Sequence, residues 1–172
     1  MSTNTDSINV SSESLRSDFE SGIRGKSYME SPEVQKIVDQ VVKEENIEIE
    51  PAQLGCLIVY PYISKTRAAQ IKRVNAETEF YSGFQYILKI SGEAWDMLDD
   101  ETRKILVHHE LLRIDSQYNE KKGEWKFKLQ PPEYIDFYTI NERYGSEGLK
   151  TIQATVSSLY DLDPRQESKV KV

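Results

Sequence analysis

Apolar residues recur along the chain at two different periods, and the switches between them mark out the elements. Val34, Ile37, Val38, Val41 and Val42 keep the i, i+3, i+4, i+7, i+8 spacing of one helical face. Ser31, Pro32 and Glu33 supply an N-cap, a proline at the first helical position and an acid in the first turn, so a helix is predicted from there to Glu45 or Asn46. From Gly55 the period shortens. Residues 56–60 form an apolar, β-branched run between Gly55 and Pro61, the mark of an inner strand. A second extended stretch is predicted over 68–74, a polar turn over 77–83, and a third strand over 84–90, where Phe84, Tyr86, Leu88 and Ile90 alternate with other residues. Gly92 opens a short helical turn carrying Trp95 and Leu98, and Asp99 or Asp100 caps the next helix. That helix places Ile105, Leu106, His109, Leu112 and Arg113 roughly on one side, which predicts substantial burial with His109 turned inward and His108 about 100° away.

Residues 115–123 read as a polar loop. Trp125, Phe127 and Leu129 alternate with Lys126 and Lys128 in a fourth strand that Pro131 and Pro132 end. A helix with an aromatic stripe is predicted over 133–144, with Gly145 as its C-cap, and a last helix over 147–160. The order predicts an α+β fold, a three- to four-stranded sheet packed against a central motif helix and flanking helices. Three regions are expected: an acidic, disordered N-terminal tail over 1–29, a single domain over 30–160 and a flexible C-terminal tail over 161–172.

Charge refines this picture. The 22 basic and 29 acidic side chains give a net −7 and a pI near 5.0, which argues against broad nucleic-acid or anionic-membrane binding. Residues 1–53 hold eleven acids and five bases, so nearly all of the imbalance lies there. Lys65, Arg67, Lys72 and Arg73 form the densest basic cluster, expected to be a solvated strand face or a dock for an acidic partner. A single-strand nucleic-acid accessory role would need Tyr60, Tyr62 and Phe84 on that same face. No apolar run is long enough to span a bilayer and no signal core is visible, so a cytoplasmic protein is expected. The single Cys56 excludes an internal disulfide and a Cys-rich zinc module, and its apolar setting predicts a buried core thiol.

The chemistry-bearing stretch is His108-His109-Glu110-Leu111-Leu112-Arg113. In an HExxH helix two histidines one turn apart bind zinc and the glutamate activates the metal-bound water. His109 and Glu110 fill the first two places, and Arg113 stands where the second histidine belongs. A permanent cation is a poor replacement for a neutral imidazole ligand.

Together with Ile63-Ser64-Lys65-Thr66-Arg67-Ala68, the strand at 86–90, Trp95 before Leu98-Asp99-Asp100-Glu101, and Glu142-Arg143-Tyr144-Gly145, this stretch resembles the Putative phage metallopeptidase family over about 32–146. The resemblance implies a small zincin-like domain in a phage or prophage protein, working in the bacterial host cell. It makes His109 the first metal ligand, Glu110 the catalytic base, Arg113 the replaced second ligand, and Pro132 the replaced third, a histidine in the family. Two readings follow. In the first the zinc site has decayed, no cofactor is held, and the protein, a pseudoenzyme, binds a host or phage macromolecule, with a protein partner expected. Arg113 then stands in for the metal's charge and pairs with Glu110 or with Glu133 or Asp136. In the second, zinc survives on His109 with carboxylates such as Glu133 or Asp136 as substitute ligands, and the protein is an active zinc metallopeptidase using Glu110.

Overall fold

The computed structural model of the protein describes residues 25–64, 66–131, 143–145 and 147–161. A four-stranded mixed sheet carries the site. Its strands are β1 (Ser27–Glu30), β2 (Leu54–Tyr60), β3 (Ala69–Arg73) and β4 (Tyr86–Ser91), in the spatial order β1-β2-β4-β3. β2 and β4 run parallel in the centre, and β1 and β3 are antiparallel edges. A separate hairpin, β5 (Ile114–Asn119) with β6 (Glu124–Leu129), forms a second sheet. The helices are α1 (Pro32–Glu44), α2 (Ala76–Ser82), α3 (Gly92–Met97), α4 (Asp100–Leu111) and α5 (Glu147–Asp161).

α1 begins as its residues dictate. The Ser31 side chain accepts a hydrogen bond from the Val34 N–H, and Val34, Val38 and Val41 bury one stripe. The strands alternate: Cys56 and Ile58 of β2, Leu88 and Ile90 of β4, and Ala69 and Ile71 of β3 are buried in the core shared with α1, α3 and α4. Trp95 sits at the centre of this layer. Its ring lies under the Arg103 guanidinium at 5.0 Å, and its Nε1 donates to Glu33 at 3.3 Å, so α1, α3 and α4 meet on one indole. Tyr60 donates to Asp96 at 2.8 Å, with its ring against Gly92, where a Cβ would fall 2.6 Å from the ring. α5 buries Ile152 and Val156 and packs on α4, with Gly148 against Ile105.

The α+β architecture agrees with the expectation, but three elements differ. β1 lies across the tail boundary placed near residue 29, because the short run Ser27–Glu30 completes the edge of β2. The turn expected over 77–83 is α2, capped by the Asn75 side chain and by Gly83 in the left-handed region at φ 74°. α2 has no buried residue, so it carries no apolar stripe to announce it. The polar loop expected over 115–123 is mostly β5, whose partner β6 is the expected fourth strand; the fourth strand of the main sheet is β1 instead. The helix expected over 133–144 lies outside the described residues save its end, where Gly145 has φ 72°.

Candidate functional site

α4 starts at Asp99, whose carboxylate accepts from the Thr102 N–H at 2.8 Å, and ends at Leu111, so His108, His109 and Glu110 occupy its last turn. A carboxylate is disfavoured at that end of a helix dipole and needs donors from elsewhere. Glu110 has them. Its Oε2 accepts from the Ile71 N–H at 2.8 Å and from Arg113 Nη1 at 3.4 Å, and its Oε1 lies 3.5 Å from His109 Nδ1. Burial pushes the Glu110 carboxyl up, but the His109 hydrogen bond, the Ile71 N–H and the His109 and Arg113 charges outweigh it, leaving it below the usual carboxylate range.

The Ile71 N–H is available because of the β3 register. The Ser91 N–H donates to the Ala68 carbonyl and the Val74 N–H to the Gln85 carbonyl, so the even-numbered residues of β3 bond to β4 and Ile71 turns its N–H outward. Glu110 therefore caps the outer edge of the sheet. The hairpin approaches from the same side: Tyr86 donates to the Lys128 carbonyl at 2.8 Å, and Arg73 donates to the Phe127 carbonyl at 3.2 Å. Gln130 closes the site, its backbone N–H donating to the Arg113 carbonyl and its side chain to the Leu112 carbonyl.

Arg113 lies beyond the end of α4, in the turn into β5, and its N–H bonds back to the Glu110 carbonyl at 3.2 Å. Its Nε is buried without a hydrogen-bond partner among the described residues. The two histidines depart from the expected orientation. His108 is the deeply buried one, with 1% of its surface exposed, its Nδ1 3.2 Å from the Tyr144 hydroxyl and the rings edge to face. His109 sits at the rim beside Glu110, because burial of the last turn of α4 is shared with 143–145 and not only with the sheet. Burial lowers the His108 pKa, with Arg143 and His109 adding to the effect and Glu45 opposing it. Pro132, Glu133 and Asp136 lie outside the described residues.

The donor set can be tested against zinc directly. A catalytic zinc needs three protein ligands and an open position. Among the described residues no group of three or more His, Cys, Asp or Glu side chains could hold a metal, and a guanidinium lies 3.4 Å from the carboxylate that would serve the metal-bound water. The described residues do not fit the ion. Cys56 offers nothing to a metal either, since burial pushes its thiol up to about 12.

The basic cluster divides. Arg73 turns toward Glu79 at 2.8 Å and the hairpin, while Arg67 and Lys72 line a groove on the opposite face of the sheet; Lys65 lies outside the described residues. Tyr60 is buried and Phe84 packs at Gly55, so these two do not join the groove.

A mixed sheet whose antiparallel edge strand faces a helix bearing His109-Glu110 is compatible with a small zincin-like domain. The sequence profile of the Putative phage metallopeptidase family matches residues 26–160, and the chain belongs to that family. The match takes in β1 and all but the last residue of α5 as well as the 32–146 span of the resemblance. No curated protein matches the chain. Among the described residues no helix is long and apolar enough to cross a membrane.

Proposed function

We propose that this phage metallopeptidase-like protein works by binding a macromolecular partner, and that its zinc site has been replaced by an ion pair. The observation that carries the proposal is Glu110 Oε2, shared between the Ile71 N–H at 2.8 Å and Arg113 at 3.4 Å. A general base needs a lone pair aimed at the water it activates. Here one oxygen is committed to the sheet edge and the guanidinium, and the other lies beside His109. Arg113 supplies positive charge next to the carboxylate, the electrostatic part of a metal's role, without a coordination site. The helix and sheet edge then stay joined with no metal.

Elemental analysis of the purified full chain, followed by zinc titration, tests the proposal. The expected result is no stoichiometric zinc and no change in metal content on His109→Ala. Stoichiometric zinc that is lost in His109→Ala, together with peptide cleavage lost in Glu110→Gln, would establish a working peptidase instead.

A further inference from the structure

The sheet face opposite the helices holds a groove of ≈ 360 Å³ whose lining includes Lys26, Tyr28, Ser64, Arg67, Lys72 and Lys89 and, among the described residues, no carboxylate. We infer that this groove binds the phosphodiester backbone of a single-stranded nucleic acid.

The fold assembles the groove from four separate stretches. β3 and β4 alternate, so while Ile71, Leu88 and Ile90 enter the core, Lys72 and Lys89 stand on the outer face. β1 and the residue before it add Tyr28 and Lys26 along one edge, and Ser64 and Arg67 stand at the end. Lys26 and Arg67 are far apart in sequence, so no linear run of bases announces the site. Among the described residues Arg67, Lys72 and Lys89 make no ion pair with a carboxylate, in a chain of net charge −7. Lys26, Arg67, Lys72 and Lys89, none of them paired with a carboxylate among the described residues, put positive charge on one concave face despite the acidic whole. Lys26 donates to the Ile63 carbonyl at 2.6 Å, which fixes the ammonium at the rim with two donors to spare. Ser64 Oγ is buried without a hydrogen-bond partner among the described residues, a small donor for a phosphate oxygen.

The floor decides between classes of polyanion. Its central strands β2 and β4 are paired on both sides, so an acidic peptide lying across the face would find no backbone partners on them. A phosphodiester chain needs only cations, hydroxyls and a ring to stack on. Tyr28 provides the ring: it is 55% exposed and stands on the outer face beside Lys89, 5.6 Å from the centroid. The groove supplies the aromatic partner that the basic cluster lacks in sequence. It names a partner for the binding role proposed above, yet lies on the sheet face away from Glu110, so the metal analysis and the binding assay fail independently.

Fluorescence anisotropy with the full chain and a labelled single strand of about 12 nucleotides tests it, within the usual site size for such grooves. Four cations on four phosphates give a slope of about −0.7 per contact, so affinity should fall about 50-fold between about 50 and 200 mM salt. Lys72→Gln/Lys89→Gln should bind more weakly and reduce that fall to about sevenfold. Lys72→Arg/Lys89→Arg should restore binding, which separates lost charge from lost fold, and Lys126→Gln/Lys128→Gln on the hairpin should change nothing. The inference is overturned by no binding at about 50 mM salt, by a salt slope unchanged in the glutamine double variant, or by loss in the hairpin variant. Competition by an acidic peptide as effective as unlabelled oligonucleotide at equal charge would also overturn it and reassign the groove to a protein ligand.

Discussion

The Ile71 N–H donates to Glu110 Oε2 across 39 residues of sequence at 2.8 Å, and this bond ties the outer edge of the sheet to the last turn of the motif helix. The residue that would be the base of a metallopeptidase is thus a buried structural acceptor. Glu110→Ala leaves the Ile71 N–H and the Arg113 guanidinium without their acceptor, and should lower unfolding free energy by about 2 kcal/mol. Urea unfolding of the two proteins measures it. A loss within error would mean that the carboxylate carries no structural load.

Acid should reveal the same carboxylate. The folded pKa of Glu110 lies below its ordinary value of 4.5, so the stability it contributes is present above 4.5 and drains as pH falls from there through the folded value. Glu110→Gln keeps an acceptor but cannot titrate, so its stability curve should be flatter below pH 4.5 than the parent's. Parallel curves for the two proteins would contradict the shift.

Arg113 is the complementary partner. Removing it strips one donor from Glu110 and leaves the His109 and Ile71 contacts. With a quarter of its side chain exposed, solvent screens the pair, and Arg113→Ala should cost about 1 kcal/mol or less, smaller than Glu110→Ala. Arg113→Lys should recover only part of this, because an ammonium on a different stem does not reproduce the fork. Equal losses for Glu110→Ala and Arg113→Ala would place most of the acceptor's value in the ion pair and little in Ile71.

The local parts of this arrangement are legible in sequence. Ser31-Pro32-Glu33 starts α1, Asp99 starts α4, and the i, i+3 spacing puts Arg113 within reach of Glu110. What is hidden is non-local or unmarked by burial. The Ile71 bond depends on the β3–β4 register, which no residue near Glu110 encodes. α2 has caps at Asn75 and Gly83 but exposes Phe80 and Tyr81, so periodicity misses it. β5 reads Ile-Asp-Ser-Gln-Tyr-Asn and is a strand because β6 pairs with it, not because it buries a face. Helical geometry turns His108 about 100° from His109 but cannot foresee that Tyr144 covers it.

Gly92 tests the packing beneath the site. A Cβ there would fall 2.6 Å from the Tyr60 ring, which is buried and anchored to Asp96, so the ring cannot swing aside without losing that bond. Gly92→Ala should destabilise the fold by about 1–3 kcal/mol. The same substitution at Gly25, where an added Cβ would meet nothing within 4 Å among the described residues, should be close to neutral in a parallel melt.

His108 gives a second pH dependence, above that of Glu110. Burial holds its pKa below the ordinary 6.5, so the unfolded chain takes up a proton first as pH falls, and the folded state loses stability from about 6.5 down to the folded value. The contact with the Tyr144 hydroxyl is compatible with the neutral ring, whereas the protonated ring faces Arg143 and His109. His108→Phe keeps the aromatic volume against Tyr144 and abolishes the titration. Its unfolding free energy should therefore change less than the parent's between pH 7 and the lower end of that window, while the Glu110 dependence below 4.5 persists in both. A variant that retains the full slope near pH 6 would show that His108 is not the source of the proton uptake.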